Sequence, residues 1–73
     1  MVKPTKVTNS IRTLRESAGL TQAELAGRIG VTRQTLIAIE QGRYSPTLEL
    51  AFQISRVFEA GLDDVFQYPE ASA

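Results

Sequence analysis

The stretch TQAELAGRIGVTRQTLIAIEQG, Thr21 to Gly42, decides how the rest of the chain is read. It holds two short helical periods, one directly after the other. Thr21 stands three residues before Glu24, so its hydroxyl can accept from the Glu24 backbone N–H while the Glu24 carboxylate reaches back to the Thr21 N–H, and a helix starts there. Leu20 and Leu25 flank that cap at the spacing of a hydrophobic staple, Leu25, Ala26 and Ile29 share one face, and Gly30 supplies the stop. The pattern then repeats: Val31 and Leu36 flank the cap residue Thr32, Leu36 and Ile39 face inward, and Gly42 ends the second helix. Between Ile29 and Arg33 there is room only for a tight turn.

Upstream, Val7, Ile11, Leu14 and Ala18 fall on one face of a helical period that Gly19 closes, with a start between Thr5 and Asn9. Downstream, Arg43-Tyr44-Ser45-Pro46 is a connector, because proline disfavours helix in the residue before it, and Thr47 can cap a fourth helix reaching about Glu59. That helix is apolar over most of its circumference. Leu48, Ala51, Ser55 and Phe58 lie along one side, Leu50, Ile54 and Val57 along another, and Glu49, Gln53 and Arg56 make the polar stripe. A helix of this kind is packed from several directions, or it lends one side to a partner. Gly61 is expected to break it, and Asp63 or Gly61 to start a final turn or two holding Leu62, Val65 and Phe66. The fold expected is all-α, a compact bundle of five helices over residues 1–68, with 69–73 as a flexible tail.

The composition narrows the function. In 73 residues there is room for one modest core, and with neither cysteine nor histidine the chain lacks disulfides, the usual zinc ligands and the commonest general base. An enzyme and a bound cofactor are not expected. The longest apolar run, Leu50-Ala51-Phe52, is far short of the roughly 20 residues that cross a bilayer, and a soluble, cytoplasmic protein is the reading. Net charge is zero, but it is unevenly spread. Lys3, Lys6, Arg12, Arg15, Arg28, Arg33 and Arg43 in the first 46 residues face only Glu16, Glu24 and Glu40, whereas Arg56 stands alone against Glu49, Glu59, Asp63, Asp64 and Glu70 in the rest. A basic front and an acidic rear can present a positive face to phosphate on a neutral molecule.

Two capped helices joined by a tight turn form the arrangement in which one helix crosses the DNA backbone and the next enters the major groove. Residues from about Ile11 to Phe66 resemble the Cro/C1-type, or xenobiotic-response-element, helix-turn-helix family of transcriptional regulators. The resemblance is carried in order by Ile11-Arg12-Thr13-Leu14-Arg15, Gly19-Leu20-Thr21-Gln22-Ala23-Glu24-Leu25-Ala26, Gly30-Val31-Thr32-Arg33-Gln34-Thr35-Leu36, Ile39-Glu40-Gln41-Gly42-Arg43 and Pro46-Thr47-Leu48. It implies a lambda-repressor-like bundle, helix-turn-helix at 21–42, and a DNA-binding repressor whose recognition helix is Thr32–Gln41.

On that helix Arg33, Gln34, Thr35, Ile37 and Ala38 are the candidate DNA contacts, together with its cap Thr32. Arg33 suits guanine O6 and N7, Gln34 suits adenine N6 and N7, and Ile37 or Ala38 suits a thymine methyl. The alternative for Arg33 and Gln34 is a solvated helix start, and for Ile37 partial cover by a neighbour. Gln22 opens the preceding helix, where the dipole favours phosphate, and the resemblance makes it a backbone contact that positions without specifying. Gln41, Arg43 and Tyr44 follow the recognition helix within reach of phosphate, although the Tyr44 ring also suits packing on the fourth helix. Arg15 and Glu40 each lie four residues from a core position, and the resemblance implies that they pair, with a phosphate contact by Arg15 as an addition. The partners expected are a double-stranded DNA operator and a second copy of the chain, with no membrane and no small-molecule ligand. The dimer surface is read as Leu50, Ile54, Val57, Phe66 and Tyr68. An adaptor or antitoxin-like interaction module is the rival reading, favoured by the zero net charge.

Overall fold

The computed structural model describes residues 6–43 and 45–69. Tyr44 and the tail Glu70 to Ala73 lie outside the described residues. The elements run β1 (Thr8–Asn9), α1 (Ile11–Ser17), α2 (Gln22–Ile29), α3 (Arg33–Glu40), α4 (Leu48–Val57), α5 (Leu62–Val65) and β2 (Phe66–Gln67). Each of the five helices sends at least one fully buried side chain to a common centre: Ile11 from α1, Leu25 from α2, Leu36 and Ile39 from α3, Ile54 from α4 and Val65 from α5. Removing any one of these to alanine costs about 2–5 kcal/mol, a large part of a small domain's stability.

The helix starts are set locally. Thr21, Thr32 and Thr47 are all extended, and each hydroxyl accepts from the backbone N–H three residues on. At Thr21 the box is complete, with the Thr21 N–H donating to Glu24 Oε1 at 2.8 Å. That backbone bond, and then the Thr21 hydroxyl, hold the Glu24 carboxyl below its ordinary pKa. At α5 only half a box exists: the Gly61 N–H donates to Asp64 Oδ2 at 3.2 Å, and no hydroxyl answers it. The helix is accordingly a single turn.

Three expectations need correction. The chain is not purely helical, because β1 and β2 pair antiparallel with Thr8 opposite Gln67 and Asn9 opposite Phe66. This clasp is continued by Ser10 N–H donating to the Val65 carbonyl at 2.8 Å, so α1 begins only at Ile11, with Val7 before the strand, and it ends at Ser17 with Ala18 exposed as its cap. Next, α4 stops at Val57 rather than near Glu59. Glu59 is left-handed with φ 52°, and Ala60 N–H returns to the Ser55 carbonyl at 3.0 Å, so the chain turns before Gly61 is reached.

Finally, the two apolar sides of α4 are not equivalent. Its buried face is Ala51, Ile54 and Ser55, the last satisfied by donating its hydroxyl to the Ala51 carbonyl at 3.0 Å. Ile54 is fully buried and cannot belong to a dimer surface, while Leu50, Val57 and Phe66 are half-buried. The large apolar side chains that remain outside are Leu48 at 67%, Phe52 at 51% and Tyr68 at 67% exposure.

Glu59 identifies a correctable strain, since an L-residue in the left-handed region costs about 1–2 kcal/mol and glycine does not bear it. Glu59→Gly is expected to raise unfolding stability by about 0.5–1 kcal/mol after its larger chain entropy is counted, measured by urea denaturation. A loss of stability in that variant would mean that Glu59 holds a contact outweighing the strain.

Candidate nucleic-acid interface

The helix pair begins with its turn. Gly30 takes φ 73°, Val31 N–H returns to the Ala26 carbonyl at 3.0 Å, and Thr32 restarts the helix at once. With Leu36 and Ile39 turned into the core, the start of α3 must face away from it, and Arg33 and Gln34 are exposed. The Thr32 hydroxyl accepts from Thr35 N–H at 3.1 Å and donates to Oγ1 of the half-buried Thr35 at 2.9 Å. Ile37 and Ala38 are half-buried rather than fully on the outer face. Gln41 caps the helix and is exposed. Arg43 follows Gly42, is exposed, and donates its N–H to the Ala38 carbonyl at 3.0 Å.

Beside α3 a cleft of about 760 Å3 runs between the end of α1 and the start of α2. Arg12, Arg15, Gln22, Arg33, Glu40 and Gln41 are among the side chains that line it. Gln34, Thr35, Ile37, Ala38 and Arg43 do not. At its floor Arg15 Nε donates to Glu40 Oε2 at 2.9 Å, with side-chain exposures of only 11% and 6%. Arg15 Nη1 also donates to the Leu20 carbonyl at 3.0 Å, which ties the α1–α2 turn to the same guanidinium. The second oxygen of Glu40 accepts from Gln22 Nε2 at 3.3 Å, and Gln22 Oε1 accepts from Arg33 Nη2 at 3.4 Å. Arg12 pairs with Glu16 at 3.4 Å in the open, where such a pair contributes little. Among the described residues Arg33 is left without a carboxylate partner, so the cleft's net positive charge lies at the start of α3.

A family model for helix-turn-helix proteins matches residues 11–65. The chain belongs to this helix-turn-helix family. It is similar to an uncharacterised HTH-type transcriptional regulator of Methanothermobacter thermautotrophicus, 53% identical over 64 residues that cover 86% of this chain and 93% of the relative. Among solved structures it is similar to the clp gene regulator ClgR of C. glutamicum, at 30% identity and a TM-score of 0.67 over 74% of this chain and 70% of that one. A DNA-binding protein of Bacteroides fragilis, described as putative, shares the fold alone, with a TM-score of 0.75 at 15% identity over 84% and 98% of the two chains.

Two residues of the helix-turn-helix region's surroundings were not foreseen. Asn9 holds α1 to the end of α3: its Oδ1 accepts from Ile11 N–H at 3.1 Å and its Nδ2 donates to the Ile39 carbonyl at 2.9 Å. The Asx residue two positions before the first apolar helical residue was the signal available for the first bond. Nothing local announces the second. Arg12 lines the cleft although it was read as part of the basic front and of the resembling stretch Ile11 to Arg15, with no site role.

The ion pair supports a stability test. Arg15→Met strands a buried carboxylate and is expected to cost about 3–5 kcal/mol in urea denaturation, while Arg15→Met combined with Glu40→Leu should recover most of that loss. A cost below about 1 kcal/mol for the single variant would place the pair in water.

Proposed function

We propose that this chain is a sequence-specific transcriptional regulator, a cytoplasmic repressor that lays α3 in the major groove of a roughly palindromic operator. The observation that carries the reading is the exposed start of α3, with Arg33 and Gln34 on a helix fixed to α2 by a tight turn. In this reading Arg33 takes guanine, Gln34 takes adenine, Ile37 or Ala38 meets a thymine methyl, and Thr32 and Thr35 offer hydroxyls at the groove edge. Gln41 and Arg43 reach phosphate at the far end of α3, and Gln22 does so at the start of α2. Arg15 and Glu40 hold the helices in register from below. The family membership and the names of the relatives support DNA binding and transcriptional regulation. Repression is proposed in the sense that occupancy of an operator overlapping a promoter blocks transcription without any further surface.

The active species in this proposal is a homodimer, because one module of this size makes few base contacts and two recognition helices about 34 Å apart would double them. Its surface is formed by Leu48, Phe52 and Tyr68, beside an apolar hollow of about 250 Å3 that Pro46, Leu48, Leu62 and Phe66 help to line. No helix among the described residues is long and apolar enough to cross a membrane.

Arg33→Ala is expected to lower affinity for the selected operator by about 1–3 kcal/mol and to relax preference at one base pair. Titration of specific and random duplexes checks this, and equal losses on both would contradict the role given to Arg33. Analytical ultracentrifugation at tens of micromolar, with and without operator, should show a dimer on DNA; a monomer in both conditions would remove the palindrome.

A further inference from the structure

The carbonyl of Ile39, one residue before the end of α3, accepts from two directions. The Gly42 N–H donates to it at 3.0 Å and the Arg43 N–H donates to the Ala38 carbonyl at 3.0 Å, and these two bonds close the helix around the left-handed Gly42. From the opposite side Asn9 Nδ2 donates to the same Ile39 oxygen at 2.9 Å, across 30 residues of sequence. A carbonyl has two lone pairs, so neither bond displaces the other. The turn that presents the exposed Arg43 is therefore fastened from outside by one side chain of β1.

Asn9 is itself held on every other side. Its Oδ1 accepts from Ile11 N–H at 3.1 Å, which leaves its NH2 as the group that points to α3. Its backbone lies opposite Phe66 in the β1–β2 pair, and the next residue, Ser10, donates its N–H to the Val65 carbonyl at 2.8 Å. Opening the β1–β2 clasp would free the Asn9 backbone and take that NH2 away from Ile39. The clasp and the end of α3 thus share a single amide.

We propose that Asn9 is a positioning residue that couples closure of the β1–β2 clasp to the phosphate-contacting end of α3, by holding the turn that carries Arg43. The role rests on the DNA-reading proposal above. It differs from a contribution to stability alone, because linkage is reciprocal: a clasp that steadies the turn for DNA is steadied to the same degree by DNA bound at the turn. A phosphate contact carries no sequence preference, so its loss weakens binding to every duplex alike and makes the dependence on salt shallower.

The test uses Asn9→Asp and Asn9→Ser. Each keeps an oxygen for the Ile11 N–H and loses the donor to Ile39, the first by chemistry and the second by length, and thermal melting sets a temperature at which both are folded. Affinity for the selected operator and for random duplexes should fall by a common factor of about two- to tenfold, with base discrimination unchanged. The slope of log affinity against log salt should lessen by about one in each, as in Arg43→Ala, and Asn9→Ser added to Arg43→Ala should lessen it no further. In wild type, DNA should slow hydrogen exchange at the Ser10 amide by about two- to tenfold, and in Asn9→Ser that slowing should be lost. An unchanged salt slope, or equal slowing at Ser10 in wild type and Asn9→Ser, would overturn the role while leaving the DNA-reading proposal standing. A wild-type chain that selects no sequence would contradict the DNA-reading proposal itself and this role with it.

Discussion

The geometry of the site depends on a single buried carboxylate. Glu40, at the last position of α3, gives one oxygen to Arg15 of α1 and the other to Gln22 of α2, and Arg15 reaches on to the carbonyl of Leu20 in the turn between them. Three helices and one turn therefore meet at a group that cannot move without leaving a charge unpaired. Leu36 and Ile39 fix α3 by filling the core, but apolar contact is non-directional and does not by itself orient a polar group. The ion pair does, because its hydrogen bonds are directional and its desolvation is costly unless every partner is in place. Breaking it from one side removes more than its attraction, and the helix that carries Arg33 and Gln34 loses its register along with it.

This arrangement also explains how a neutral chain can address a polyanion. The two pairs Arg15–Glu40 and Arg12–Glu16 cancel most of the charge around the cleft, and the remainder sits on Arg33 at the start of α3. Arg43, exposed after α3, adds a second cation near that helix, while Glu49, Glu59, Asp63 and Asp64 occupy the opposite end of the sequence. Steering by the whole-molecule field is weak in such a protein, and local hydrogen-bond geometry must carry more of the selectivity.

Much of this was legible in the sequence wherever the cause is local. Thr21, Thr32 and Thr47 start their helices through partners three residues away, so reading the chain in order is enough to find them. Gly30 and Gly42 mark left-handed stops for the same reason. Legibility fails where the partner is distant or the residue is atypical. Asn9 reaches a carbonyl 30 residues on, and the clasp of β1 on β2 is only two residues wide and joins segments near opposite ends of the chain. Glu59 turns the chain in a conformation that glycine would normally supply, forced by the closing bond to Ser55. On α4 apolar side chains outside the buried face, Leu48 and Phe52 among them, widened the apolar stripe, so the sequence did not separate buried Ile54 from exposed Phe52. The link from Glu40 through Gln22 to Arg33 needs three helices in place before it exists, and no spacing rule contains it.

The account is tested most directly by selection of binding sites from a random duplex library, followed by titration of the enriched site over a range of salt concentrations. It expects a palindromic motif bound with an affinity that falls steeply as salt rises, because phosphate contacts release counterions when they form. No enrichment over random DNA would contradict it and would move the exposed apolar side chains Leu48, Phe52 and Tyr68 to the centre of a protein-binding role.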